Sequence, residues 1–178
     1  TNATVPALSI NGVAITPYSG TGTAAAFYGY QASSSSLAFA DFESCFVTFY
    51  RDTTTADLAL VMVCGKKGNQ QPAATFKIDC TGLPSTSAVA ESDDANELKK
   101  TDATTLAGSF NFAANSDGGV VTGMDYPAGT NGTMSCTMST SAAGLTNGVS
   151  VINADGTNPQ NFDSPRALGV YTDGDGGT

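Results

Sequence analysis

The chain has no histidine and no tryptophan, and only seven of its 178 residues are lysine or arginine. Each shortage closes off chemistry. Without histidine the commonest general base is gone, and Ser-His-Asp and Cys-His nucleophilic sites are excluded. A mixed cysteine–histidine zinc site falls on the same ground. Without tryptophan, any platform for stacking a sugar ring must come from tyrosine or phenylalanine. The net charge is -9, and the basic pairs are Lys66–Lys67 and Lys99–Lys100. Such a chain cannot offer the basic face that displaces counterions from nucleic acid. An anionic membrane surface repels it as well. No apolar run approaches the roughly 20 residues that span a bilayer. Neither nucleic acid nor direct membrane insertion is therefore expected. No GxSxG elbow is present, and GTGTAA (20–25) departs from the dinucleotide and phosphate-loop patterns, so it reads as a flexible glycine loop.

What is present describes one packed domain. The apolar fraction is 40% and charged residues make up only 13%, a balance opposite to that of disordered chains. Ser, Thr, Asn and Gly take the place of the missing charges. A surface of that kind is polar yet loses little side-chain entropy when two surfaces pack. The chain starts at Thr1 with neither methionine nor a leader pattern, which fits a processed or a shortened chain. Cys45, Cys64, Cys80 and Cys136 form an even set without CxxC spacing. Two disulfides are expected, and with them an extracellular or cell-surface location reached through an oxidising compartment. Asn2 and Asn131 head glycosylation sequons that such a route would make usable.

Short strands with Asn-Gly turns organise the chain. In LSINGVAI (8–15), Asn11-Gly12 suits a two-residue hairpin turn. Ile10 then faces Val13 and Leu8 faces Ile15, giving a ribbon with one apolar side. Residues 19–36 read as a strand flanked by loops. CFVTFY (45–50) and LALVMVC (58–64) are apolar on both faces, as strands buried on both sides are. With residues 53–56 as the loop tip, Cys45 falls opposite Cys64. TFKIDC (75–80) and TMSCTM (133–138) alternate, pointing Cys80 and Cys136 into a core. The favoured pairings are therefore 45–64 and 80–136. Asp94 with Glu97 has capping-box spacing and predicts a short helix over 94–100. NSDGG (115–119) reads as the turn of a hairpin between SFNF and GVVTGM, and Asn147-Gly148 as another hairpin turn. The whole predicts an all-β protein, a single β-sandwich of jelly-roll or Greek-key type, with one short surface helix. Residues 1–18 form an N-terminal ribbon or arm, open to exchange with a neighbour, and residues 19–178 form the sandwich.

Two kinds of site chemistry remain. Paired carboxylates, Asp41 with Glu43 or Glu91 with Asp93 and Asp94, are the elements of a glycosidase. No further catalytic pattern accompanies them, and the expectation is no enzyme. Calcium is the one cofactor the acidic loops allow, since it takes carboxylate and carbonyl oxygens. Asp173 and Asp175 have the spacing of a calcium-loop start, and Asp117, Asp155 and the ESDDANE stretch (91–97) are further donors. DGDGGT (173–178) alone is too short to cage a cation and reads as a tail pinned by contact. Three functions fit this object. The first is a non-enzymatic extracellular structural protein, a subunit of a self-assembling, pilus-like surface filament. There other copies of the chain are the partners, and an arm carrying Val5, Leu8, Ile10, Val13 and Ile15 fills a neighbour's groove. The second is a secreted carbohydrate-binding or adhesion module, calcium-assisted, with Tyr18, Phe27, Tyr28, Tyr30 and Tyr126 as stacking candidates for glycans. The third is a virion surface protein.

Overall fold

Alternation of apolar and polar residues dictates the architecture, and a computed structural model shows how the strands pair. It describes residues 8–10, 13–30, 35, 37, 44–66, 74–112, 115–126, 131–140, 149–151, 154–155, 160–162 and 166–173. In chain order the strands begin with β1 (Leu8–Ile10), β2 (Val13–Ala14) and β3 (Tyr18–Gly20), followed by helix α1 (Ala24–Tyr28). Next come β4 (Ser44–Asp52), β5 (Leu58–Lys66), β6 (Ala74–Thr81), β7 (Ala88–Ser92) and β8 (Leu98–Lys100). The last six are β9 (Thr105–Phe112), β10 (Asn115–Thr122), β11 (Asn131–Thr140), β12 (Val149–Val151), β13 (Gln160–Phe162) and β14 (Arg166–Asp173). One sheet runs β2-β1-β14-β11-β6-β9-β8, and the other runs β13-β12-β4-β5-β10-β7, with β3 also on β4. The two pack face to face as an all-β sandwich.

The core lies between them. Phe76, Ile78, Phe110 and Met134 from the first sheet meet Phe49, Leu60 and Met62 from the second, all essentially without exposure. β6 follows strict alternation, with Phe76, Ile78 and Cys80 inward and Lys77 and Asp79 outward. The second sheet is buried on both faces. Its outer side holds Ala59, Val61, Val63 and Val120 under α1, whose Ala24 and Tyr28 pack against them. That second layer explains why CFVTFY and LALVMVC show no alternation. β4 and β5 turn at residues 53–56, where Ala56 takes a φ of 62° and Asp52 N–H donates to Asp57 O at 2.9 Å. Cys45 thereby stands opposite Cys64, and Cys80 stands opposite Cys136. Both pairs are disulfide-bonded, as the alternation and the loop length predict. The N-terminal register is also the expected one, with Ile10 opposite Val13 and Ile15 N–H donating to Leu8 O at 2.9 Å.

Three local expectations are overturned. Residues 94–100 are not a helix. The capping contact does form, Asp94 N–H donating to Glu97 Oε2 at 3.3 Å. Glu97 N–H then closes a turn on Asp94 O, Asn96 takes a φ of 72°, and the chain continues as β8. Tertiary packing decides this. Leu98 is 3% exposed, and its two methyls fit against Gly108 on one sheet and Gly119 on the other. A two-turn helix could not deliver it there. The short helix instead occupies the stretch read as a strand. Three successive alanines favour it. Thr23 Oγ1 caps it by accepting from Ala26 N–H, and Gly29 closes it with a φ of 62°. Finally, NSDGG is no turn: it is the first part of β10, and β9 and β10 belong to different sheets. The Asn11-Gly12 and Asn147-Gly148 turns lie outside the described residues.

Candidate functional site

The pairing of β7 with β10 builds the most unusual corner of the molecule. Ser92 stands opposite Gly119 and Glu91 opposite Val120, with an irregularity between Val120 and Val121. Asp93 N–H donates to Gly118 O at 3.0 Å. ESDDANE and NSDGG, separate in the sequence, thus become neighbours. The site unites Glu91, Asp93, Asp94, Glu97 and Asp117. The Arg51–Asp125 ion pair, the one found among the described residues, lies elsewhere, so no such pair offsets these five carboxylates.

Alternation along β10 sorts them by face. Ser116 Oγ accepts from Ser35 N–H at 2.6 Å on the side of α1. Asp117 therefore points the other way, between the sheets, beside its register partner Cys64. It is 5% exposed, and one of its oxygens accepts from Gly118 N–H at 2.9 Å. Burial, then the Glu97 charge and a hydrogen bond with the Glu97 carboxyl, push its pKa up from 3.8 to about 8. Leu98 wedged between the two glycines holds Glu97 in that position. Burial and the neighbouring Glu97 carboxyl therefore favour the protonated form of Asp117.

Asp93, opposite Gly118, shares the outer side with the phenol of Tyr28. Burial, followed by the charges of Asp94, Glu97 and Glu91, raises its pKa to about 6. Tyr28 is 0% exposed. Its phenol is also pushed upward, first by burial and then by the charges of Asp93, Asp117 and Glu91. Neither Tyr28 Oη nor Asp93 Oδ1 has a hydrogen-bond partner. Tyr30, 39% exposed, feels the same carboxylates at the rim.

Of the residues predicted from sequence, Glu91, Asp93, Asp94 and Asp117 meet at this corner. Asp155 lies exposed in a turn, and its charge adds to burial in raising the Tyr18 pKa. Asp173 ends β14 opposite Asn131, and neither side chain is described. Asp175, Asp41, Glu43, Val5 and Asn2 lie outside the described residues. Among the described residues no three acidic or sulfur side chains stand together at metal-holding distance. Leu8, Ile10 and Ile15 are buried in the main core, and Val13 is placed on β2 by its backbone. Of the aromatic candidates, Tyr18 and Phe27 pile with Tyr50 at ring separations of 5.4 and 4.6 Å, each covering the next. Tyr126 donates to Gly82 O. Sequence reasoning missed the approach of Glu97 to Asp117 and the orphaned Tyr28 hydroxyl, since neither leaves a local pattern. Compared with protein-family models, with curated proteins and with solved structures, the chain matches none.

Proposed function

We propose that this domain is a non-catalytic structural subunit that assembles with copies of itself outside the cell. The observation that carries the reading is the place of the N-terminal ribbon. Among the described residues β1 and β2 form the edge of their sheet, and β1 pairs with β14 from Leu8 to Ile10. Yet Leu8, Ile10 and Ile15 fill the common core at 6%, 0% and 5% exposure. An edge element anchored by alternate apolar side chains is the kind that subunits exchange. The outer face of the same sheet supports this reading. It presents Thr81, Ser109, Asn111, Thr133, Ser135 and Thr137, exposed and uncharged, with Lys77 and Asp79 as the charged residues of β6 among them, a mostly short-chained polar surface that packs at low entropic cost. The two disulfides fit an oxidising, extracellular setting.

The test removes the ribbon. Deleting residues 1–16 should leave a folded, soluble domain that no longer forms filaments in negative-stain images. A synthetic peptide of residues 1–16 should bind that domain and restore its thermal stability. A full-length chain that stays monomeric at every concentration, or a truncated chain that unfolds and is not rescued by peptide, defeats the reading.

A further inference from the structure

We propose that Asp93 and Glu91, with the buried hydroxyl of Tyr28, form a binding site for a divalent cation, with calcium the best chemical fit. The inference is independent of assembly and rests on the β7–β10 corner. Burying a hydroxyl without a partner costs about 1–3 kcal/mol, more for a charged oxygen. Tyr28 Oη and Asp93 Oδ1 are two such atoms; Asp93, opposite Gly118, lies on the outer side of the sheet over which α1 and Tyr28 pack, and Asp93 is the foremost charge felt by the Tyr28 phenol. A directly shared hydrogen bond would satisfy both, but none forms. An oxygen-seeking guest between them satisfies both: the carboxylate binds the ion, and the phenol donates to the carboxylate or to ion-bound water.

The donor set selects the ion. Only oxygen is offered, from carboxylates and a phenol, which favours hard cations over zinc or copper. Glu91 and Asp93 are two residues apart along an extended segment, so their side chains leave on one side. A cation there also relieves the mutual repulsion of Glu91, Asp93 and Asp94. Magnesium demands near-ideal octahedral geometry, whereas calcium accepts irregular shells completed by water. Two carboxylates with water correspond to a weak site, with a Kd on the order of 0.1–1 mM, typical of extracellular modules.

Terbium(III) is the probe. The chain has no tryptophan, so sensitised terbium emission must pass through a nearby tyrosine, and Tyr28 and Tyr30 flank the site. At pH 7.5 the wild-type chain should give saturable tyrosine-sensitised emission that calcium displaces. Calcium chloride at about 5 mM should raise Tm by about 2–5 °C. Asp93→Asn and Glu91→Gln should each weaken terbium binding at least about tenfold, and Tyr28→Phe should cut the emission. Asp155→Asn should change nothing. Should Asp93→Asn fail to fold, Glu91→Gln and the calcium-dependent Tm of the wild type still decide. Non-saturable emission, emission unchanged by Glu91→Gln, or a Tm indifferent to calcium overturns the proposal and leaves water as the guest.

Discussion

Asp117 makes the domain's stability depend on pH in an unusual direction. Its folded carboxyl keeps its proton up to about pH 8, whereas the unfolded chain releases it near 3.8. Between those values the folded state binds more protons than the unfolded one. Stability from this group is therefore complete below about pH 3.8 and is lost progressively as pH rises to about 8. Each unit of difference is worth about 1.4 kcal/mol, and part of it belongs jointly to the pair with Glu97. The expected loss is on the order of 3–5 kcal/mol, a large share of a domain's total stability. Asp117→Asn removes the titration. Its Oδ1 can still accept from Gly118 N–H, and its amide can donate to Glu97. The variant should match the wild type within about 1 kcal/mol at pH 4 and exceed it by several at pH 8–9. Urea unfolding followed by circular dichroism from pH 4 to pH 9, with chelator present, measures the gap directly. Opposing carboxylates such as Asp52 and Asp102, whose pKa values are lowered chiefly by backbone N–H donors, cancel in the difference between the two proteins. A gap that stays constant with pH, or widens toward acid, refutes the buried proton.

Two further outcomes test the packing. The Cys80–Cys136 bridge closes a separation of 56 residues and Cys45–Cys64 one of 19, so loop entropy assigns them about 4.2 and about 3.3 kcal/mol. The double alanine variant of the first pair should unfold at lower urea, and the reverse order contradicts the entropic account. Gly119→Ala would place a Cβ 2.7 Å from both Glu91 O and a Leu98 methyl, and should cost about 1–3 kcal/mol in the same assay. A neutral result there means that Leu98 does not fill the gap between the sheets.

The parts of the fold that were readable in the sequence are those governed by period two. Phe76, Ile78 and Cys80 alternate because one face of β6 meets the core, and the same rule placed Cys136 opposite Cys80. Asn-Gly between apolar pairs predicts the Ile10–Val13 register that is found, because turn length and side-chain face are coupled. The failures arose where distant packing overrode local preference. Asp94 and Glu97 make the capping contact of a helix, yet Leu98 gains more by entering a slot formed by two glycines, one from each sheet. Neither glycine announces that slot. NSDGG looks like turn chemistry, but Gly118 and Gly119 serve close approach: β5 crowds the first, Leu98 and the Glu91 carbonyl the second. The acidic corner was invisible for the same reason. The sequence offers ESDDANE and Asp117 as two separate donors, and only the β7–β10 register joins them.

That register also separates the two functional proposals in space. β2 and β8 end the same sheet at opposite sides, with five strands between them. The exchangeable ribbon occupies the first edge, and the carboxylates gather beyond the second, next to β8 and β7. Exchange of β1 and β2 replaces one copy's Leu8, Ile10 and Ile15 with the same residues of another, leaving Asp93 and Tyr28 untouched. Ion binding should therefore tune the stability of each subunit without deciding whether subunits join. Filaments formed in chelator should match in number those formed in calcium, yet dissociate at a lower temperature. If chelation abolishes assembly while the monomer stays folded, the acidic corner is itself a contact between copies, and the ribbon is not the element that joins them.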